Sequence, residues 1–451
     1  MSGVQIDKKQ FYKTVAGLVI PMALQNLINV GVTSADVIML GKVGETALSA
    51  SSLAGQVYFV MTLIFFGLTS GAAVLTAQYW GKRDTRTIEK IMGMALRMGI
   101  VVALIFMAAV WLIPTQLMHL FTREAAVVAE GVRYLRIISF SYILSAITMV
   151  YLNIVRSIEK VMIATITYAC SLAVNVILNA VFIFGLFGCP AMGIAGAALG
   201  TLIARVVELI IVVVYDCKYN DTIRFKLSDL VTHDKLLLED FIKISLPVVL
   251  NELAWGLGMA VMTSIMGHLG QAAVAANSVT QVSRQLAMVV SFGVAGATAI
   301  MIGKSIGEGR EDVAKEYGRL FTKMSVVLGL CGAVVILCIS PVARHFLTLS
   351  QEAKGYLRIM MFVMSYYCVA QSINSTWVVG IFRDGGDTKA GLIIDLVFMW
   401  GFSILLGFVA AFVLDLPVTV VYFILVSDEL VKMPFVYKRY RSYKWLRNVT
   451  R

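Results

Sequence analysis

Twelve apolar stretches, each of about twenty residues or more, follow one another along this chain of 451 residues. They lie at 14–40, 47–80, 91–113, 125–155, 161–186, 192–215, 241–266, 273–303, 321–340, 355–382, 388–412 and 416–437. Each can cross a hydrocarbon core of ~30 Å as a helix, which pairs its own backbone groups where water is absent. The composition is 59% hydrophobic and only 14% charged, against ~25% charged in soluble domains. We therefore predict an all-α polytopic membrane protein with twelve transmembrane helices, numbered here as spans 1–12.

The sequence also repeats itself without a gap over about eighty residues, at an offset of 247 − 21 = 226. The offset superposes Pro21 on Pro247, Gly41 on Gly267, Gly44 on Gly270, Ala50 on Ala276, Gly81 on Gly307 and Met98 on Met324. Six spans are an even number, so the second half starts on the same side of the membrane as the first, and the pseudo-twofold repeat is parallel. We expect an N-lobe at 1–215, a cytoplasmic linker at 216–240 and a C-lobe at 241–451 with a basic cytoplasmic tail.

Lys and Arg residues are concentrated on one side of the predicted membrane. They cluster before span 1, in 82–90, in 304–323, in the tail from Lys432 to Arg451, and in the linker, which includes Arg224. Because cytoplasmic loops are rich in Lys and Arg, both termini are predicted to be cytoplasmic, in the plasma (inner) membrane. This one-sided pattern and anionic headgroups explain the net charge of +11 without nucleic-acid binding, for which no known module is present.

Two short patterns typical of enzymes overlap in the segment from Gly303 to Gly307. It resembles the end of a phosphate-binding loop, but Thr298 replaces the first glycine of that loop and no strand precedes it. It also matches Gly-x-Ser-x-Gly, but the only later histidine, His345, is predicted on the opposite side of the membrane. We interpret the segment as a helix end and expect no enzyme. The scattered six cysteines and four histidines predict no disulfide, no transition metal and no cofactor.

Two prolines that the repeat superposes lie deep inside spans. Pro21 and Pro247 each remove a backbone hydrogen bond and leave a bendable point in span 1 or span 7. They are candidate hinges, although static kinks that shape the helix bundle fit the pattern equally well.

Asp36 is the most informative ionisable residue, because a buried charge inside hydrocarbon requires a partner or a function. It lies ~8 Å short of the predicted outer end of span 1, and Asn175, Asn179 and Thr201 on spans 5 and 6 fall at similar depth. Together they offer an oxygen-rich pocket for a monovalent cation, or a protonatable carboxyl group. The alternative is a structural cluster that bonds three helices.

Glu252 is a second buried acid, on span 7. The repeat superposes it on Asn26 and superposes Asp36 on Met262. The two halves therefore share a scaffold without sharing an acidic position.

Other ionisable residues inside the spans are predicted to be mainly structural. Arg205 with Glu208, and Glu429 with Lys432, are three residues apart and should pair on one helix face. For Arg284 and Asp395 two possibilities stay open: a mutual ion pair, or positions lining a cavity of the C-lobe.

With these residues in place, the sequence resembles the multidrug and toxic compound extrusion (MATE) family over nearly its whole length. The motifs that carry the resemblance are Asp36-Val-Ile-Met-Leu-Gly41, Asn175-x-x-x-Asn179, Gly193-Ile-Ala-Gly196-Ala-Ala, Gly380-Ile-Phe-Arg383-Asp-Gly-Gly-Asp387 and Arg441-Ser-Tyr-Lys-Trp445. The resemblance implies a secondary antiporter, in which organic cations or amphipathic drugs leave the cell as Na⁺ or H⁺ enters, by alternating access between two lobes.

The resemblance also implies roles for particular residues. Asp36, Asn175, Asn179 and Thr201 would form the cation site of the N-lobe, with Na⁺ as its only metal, and Glu252 would match an acid of the C-lobe site. In members that rely on the C-lobe site, an aspartate stands eleven residues before the arginine that is Arg383 here. This chain has Ser372 there, so Asp36 is the favoured coupling residue.

The substrate is expected to be a small organic cation or amphipathic compound. The protein is expected to be a monomer that lies in a lipid bilayer. Aromatic and methionine side chains suit such ligands. The candidate cavity residues are Gln56, Tyr58, Trp255, Met259 and Arg284. The alternative function is a flippase for a lipid-linked saccharide, which would need a strongly basic cavity. A further alternative, a non-transporting membrane scaffold, would show no ion-dependent flux.

Overall fold

The computed structural model describes residues 6–223, 226–231, 234–347 and 349–451. Part of the predicted linker, including Arg224, lies outside these residues. Within the described ranges the chain is helical and contains no strand.

Each predicted span coincides with helical structure. The first half contains α1 (Lys8–Val43), α2 (Glu45–Gly81), α3 (Thr85–Leu112), α4 (Ala125–Ile138 and Ser141–Ser157), α5 (Met162–Phe184) and α6 (Ile194–Lys218). The second half contains α7 (Lys235–His268), α8 (Gln271–Gly307), α9 (Glu311–Phe346), α10 (Gln351–Asn374 and the π-helical Ser375–Arg383), α11 (Thr388–Asp395, the π-helical Leu396–Ile404 and Leu405–Phe412) and α12 (Val418–Leu425 and Asp428–Arg441). Short helices lie at Pro114–His119, Leu186–Gly188 and Leu227–Leu230.

Several spans are less regular than the sequence predicted. In the described part of the chain, nine helices are long and apolar enough to cross a membrane, and α4 makes a tenth although its two segments meet at a bend of 52°. The remaining two are α10, which carries many polar residues, and α12, which is interrupted at Val426 and Ser427. Spans 4 and 12 are therefore helical but not continuous.

The described residues form two compact units. The first, called the N-unit here, comprises Leu24–Thr76 and Arg83–Ser245; the second, the C-unit, comprises Met1–Ala23, Ala77–Lys82 and Leu246–Arg451. Helix α1 changes unit two residues after Pro21, and α7 changes unit one residue before Pro247. Both prolines lie inside continuous helices. Their role as hinges stays a prediction, and so do the lobe boundaries.

Small residues let helices of the N-unit approach closely. A Cβ atom added to Gly196 on α6 would lie 2.6 Å from the carbonyl carbon of Phe182 on α5. The core of this unit includes Met61, Phe65 and Tyr142, which are fully buried. Helices α5 and α6 are thereby held in direct backbone contact, which positions their polar side chains.

In the C-unit, two glycines related by the repeat allow the ends of α2 and α8 to cross. An added Cβ on Gly81 would overlap the carbonyl oxygen of Lys304, and one on Gly307 would overlap the carbonyl oxygen of Gln78. The segment that resembles enzyme motifs is thus a helix end, as predicted, and its glycines permit close packing.

The basic tail is a packed part of the C-unit. Trp445 is fully buried, and its Nε1 donates a hydrogen bond to the carbonyl oxygen of Tyr440 (2.9 Å). Gln78 on α2 donates to the carbonyl oxygen of Arg447 (3.1 Å) and accepts from the backbone N–H of Val449 (2.8 Å). These bonds attach the end of the chain to the helix crossing.

Candidate cation site

The four polar side chains that the sequence placed at one depth form a continuous hydrogen-bonded cluster in the N-unit. Asn179 Nδ2 donates to Asp36 Oδ1 (2.5 Å) and to Asn175 Oδ1 (3.3 Å). Asn175 Nδ2 in turn donates to Thr201 Oγ1 (3.1 Å). The cluster therefore joins α1, α5 and α6 through side chains alone.

Local sequence explains this geometry. Asn175 and Asn179 are four residues apart and share one face of α5, where they are 2% and 0% exposed. Gly200 on α6 faces Asn179, and an added Cβ there would overlap Asn179 Oδ1. The absence of a side chain at Gly200 thus provides the space that Asn179 occupies.

One buried oxygen atom of the cluster has no hydrogen-bond partner in the described structure. The atom is Asn179 Oδ1, whereas buried polar groups normally have a partner. Carboxylate and amide oxygens are the donors that hard cations prefer. The arrangement can hold a monovalent cation beside Asp36, or a proton on its carboxyl group.

A buried ion pair lies one helical turn beyond the cluster. Arg205 Nη1 contacts Glu208 Oε1 at 2.5 Å, which confirms the predicted pair, and the Glu208 side chain is only 1% exposed. Arg205 attracts the charge of Asp36 electrostatically. Because Glu208 offsets the charge of Arg205, the positive potential at Asp36 is reduced and a cation is not excluded.

A family model described as MatE matches residues 21–181 and 247–428, well over half of the chain. The chain belongs to the MATE family of transporters. The two matched segments begin 247 − 21 = 226 residues apart, which confirms the internal repeat. As a member of this family the chain is a multi-pass membrane transporter.

The relatives of this MATE chain extend over most of its length. It is 24% identical over 420 residues to the uncharacterized transporter YisQ of Bacillus subtilis, covering 92% of this chain and 90% of that protein. It is 24% identical over 416 residues to the probable multidrug resistance protein NorM of Agrobacterium fabrum, covering 89% and 87%.

Solved structures agree on the fold. A multidrug resistance MATE family transporter in an outward-facing conformation has a TM-score of 0.85 at 20% identity, covering 96% of both chains. A MOP superfamily transporter from Pyrococcus furiosus gives the same values. The chain thus has the MATE fold of twelve transmembrane helices in two lobes.

Glu252 has a different environment from Asp36. In the C-unit its Oε1 contacts Arg383 Nη2 at 2.9 Å, and the Arg383 side chain is 5% exposed. Ser372 faces other helices, since its hydroxyl bonds to Ser291 Oγ (3.0 Å) and to the carbonyl oxygen of Ser325 (2.8 Å). Glu252 is therefore part of a buried ion pair, which the sequence did not predict.

The suggested ion pair between Arg284 and Asp395 is wrong. Arg284 bonds to Gln281 Oε1 (2.9 Å) and Gln371 Oε1 (3.2 Å), whereas Asp395 contacts Lys432. Rotation about the helix axes, which spacing along the sequence does not specify, decides these partners.

The predicted pair of Glu429 and Lys432 is confirmed at 2.9 Å. It belongs to a larger buried network around Asp395 that sequence reasoning missed. The sequence indicated this network only through the charged residues that lie inside spans 11 and 12.

The candidate cavity residues are found in both units. In the N-unit, Gln56 is exposed and Tyr58 is half-buried with its hydroxyl 3.3 Å from Ser145 Oγ. In the C-unit, Trp255 is 41% exposed and Met259 is half-buried, whereas Arg284 is buried. Their contact with substrate stays a prediction.

Replacing Gly200 with alanine is expected to disrupt the candidate cation site. The new Cβ would displace Asn179 from Asp36. The lost hydrogen bond is worth ~1.4 kcal/mol, so we expect the affinity for the cation to fall roughly tenfold. Cation-dependent thermal stabilisation of the purified protein measures this. Gly55→Ala on α2 is the matched control, because nothing lies within 4 Å of its added Cβ. Equal cation affinity in both variants would contradict the assignment.

Proposed function

We propose that this transporter is a secondary antiporter that exports organic cations or amphipathic drugs and toxins in exchange for Na⁺ or H⁺. The observation that carries the proposal is the Asp36 carboxylate, bonded to Asn179 beside an unpartnered buried amide oxygen. An ionisable group in such a position inside a membrane segment is a functional site by default. The multidrug resistance proteins among the relatives support the choice of substrate class.

The proposed mechanism couples the charge at Asp36 to alternating access between two lobes. Entry of one cation releases ~2.3 kcal/mol per 100 mV. A cation bound at Asp36 needs only to favour one of two arrangements by about that amount. The internal repeat supports two similar arrangements, and Pro21 and Pro247 are the proposed bending points.

We further propose that the protein works as a monomer in the plasma (inner) membrane, with both termini in the cytoplasm. The support is the excess of Lys and Arg on one side of the predicted topology. No cofactor takes part in the proposed cycle; the coupling ion is its only inorganic ligand.

Efflux from proteoliposomes tests the proposal. Vesicles are loaded with a fluorescent organic cation, and a Na⁺ gradient and a pH gradient are imposed separately, with protein-free vesicles as control. We expect one gradient to accelerate release several-fold, and that gradient identifies the coupling ion. If neither gradient accelerates release, the proposal of ion-coupled export is wrong.

A further inference from the structure

Helix α2 belongs to both compact units. It is one continuous helix (Glu45–Gly81), and its residues up to Thr76 lie in the N-unit, whereas Ala77–Lys82 lie in the C-unit. The end of α2 packs there against α8, since an added Cβ on Gly303 would lie 2.7 Å from the Cβ of Ala77. Because a helix is a rigid element, a movement of α2 with the N-unit would displace its end from the C-unit.

Residues 445–451 of the basic tail, called the strap here, bind this end of α2. The strap is neither helix nor strand from Leu446 on, so its backbone groups need partners elsewhere. The buried Gln78 side chain supplies two of them. Its Nε2 donates to the carbonyl oxygen of Arg447 (3.1 Å), and its Oε1 accepts from the N–H of Val449 (2.8 Å). One amide group thus binds the strap both as donor and as acceptor.

Two further contacts lie at the far end of the strap. The hydroxyl group of Tyr79 accepts a hydrogen bond from the N–H of Arg451 (3.3 Å). Lys82 Nζ donates to the carbonyl oxygen of Arg451 (3.0 Å). Together with Gln78, three side chains at the end of α2 therefore bind the backbone of the strap.

The other end of the strap is fixed in the C-unit. The ring of Trp445 is fully buried and lies parallel to the ring of Tyr440, at an angle of 3°. The N–H of Arg447 donates to the carbonyl oxygen of Gly385 (2.9 Å), and its guanidinium group lies 3.4 Å from the buried carboxylate of Asp387. Gly385 and Asp387 follow α10 directly. The strap therefore connects the loop between α10 and α11 with the end of α2.

The repeat does not supply the same acceptor on α8. Lys304 superposes on Gln78, since 78 + 226 = 304. A lysine side chain has donors only, so it cannot accept an N–H as Gln78 does from Val449. The acceptor that binds the strap is therefore particular to α2.

We propose that the strap is a latch, which holds the end of α2 in the C-unit and resists the movement of α2 out of that unit. A rearrangement in which α2 moves with the N-unit must break the bonds of Gln78, Tyr79 and Lys82 to the strap. The consequence for transport rests on the proposed alternating access, in which the two lobes change their arrangement. The latch then stabilises the arrangement in which the end of α2 is bound, and it slows the departure of that end.

Hydrogen–deuterium exchange of the purified full chain, without ion gradient or substrate, tests the latch. Val449→Pro removes the N–H that binds Gln78 and leaves the sequence of α2 unchanged. Since the end of α2 then opens more easily, we expect the amides of Ala77–Lys82 to exchange roughly tenfold faster. Thr450→Pro is the matched control, because the N–H of Thr450 donates to Asn448 Oδ1 within the strap itself (3.0 Å). Its α2 end should exchange as in the unchanged chain.

Gln78→Ala tests the latch from the other side. It keeps a good helix former in α2 but removes both bonds of Gln78 to the strap, so peptides of the strap should exchange roughly tenfold faster or more. Gln351→Ala, at an exposed position at the start of α10, should leave this exchange unchanged. The latch is refuted if Gln78→Ala accelerates exchange of the strap while Val449→Pro leaves the end of α2 unchanged, because the strap then only covers α2. It is also refuted if neither variant changes exchange.

Gradient-driven release from proteoliposomes tests the consequence for transport. Conformational steps limit the turnover of many proteins, so a weaker latch should raise the release rate of the Val449→Pro protein by roughly threefold or more over Thr450→Pro. Equal rates, together with faster exchange at the end of α2, would refute the role of the latch in transport. If the unchanged chain shows no gradient-driven release, the proposed export is wrong, whereas the exchange measurements still decide whether the strap holds α2.

Discussion

Replacing Asp36 with asparagine is expected to abolish ion-driven efflux while the folded protein remains in the membrane. Asparagine has the same shape and keeps an acceptor for Asn179, so the hydrogen-bonded cluster survives. It carries no charge to bind a cation and no proton to exchange. At a potential of 100 mV the lost driving energy is ~2.3 kcal/mol, so we expect gradient-driven release to fall by roughly 50-fold.

Gradient-driven release from proteoliposomes, with the amount of inserted protein matched, measures this effect. Asp415→Asn is the control, because it makes the same chemical change in the loop between α11 and α12. Unchanged gradient-driven release in the Asp36→Asn protein would show that the coupling ion is bound elsewhere, while the proposed export could still hold.

Glu252→Gln is expected to destabilise the protein by ~3 kcal/mol, because it removes the carboxylate that compensates the buried charge of Arg383. The Glu252–Arg383 distance is 2.9 Å and both side chains are largely buried. Replacing both residues with glutamine should cost less than the sum of the two single replacements, since the loss of their mutual interaction then counts once and not twice.

A double-mutant cycle on the free energy of unfolding in detergent measures the coupling of this pair. The exposed pair of Lys243 and Glu239 on α7 provides the comparison, and its coupling should be at most ~0.5 kcal/mol. If Glu252→Gln left stability unchanged but abolished efflux, Glu252 would be a coupling residue and not mainly a partner of Arg383.

Depth along a helix was the most successful kind of sequence inference for the candidate cation site. Residue counts from predicted helix ends placed Asp36, Asn179 and Thr201 at one level, and the structure joins them through hydrogen bonds. The count works because a helix rises by a constant ~1.5 Å per residue. It did not reveal Gly200, whose importance arises only where α6 touches Asn179.

Pairs within one helix were predictable for the same reason, as Arg205 with Glu208 shows. Pairs between helices were not. A pair of Asp395 with Arg284 was one of two possibilities, whereas the partner of Asp395 is Lys432. No partner was predicted for Glu252, which contacts Arg383. Irregular backbone in α10, α11 and α12 changes the direction in which the following side chains point, and no regular period predicts that change.

The sequence alone determined the number of spans, the 226-residue repeat and the position of each acid along its helix. These are consequences of hydrophobic length and helical rise, which act locally. Only the tertiary structure decided which acids lie beside amide oxygens and which lie beside basic groups. That choice depends on how helices from distant parts of the chain rotate and pack against one another, and contacts between side chains determine it.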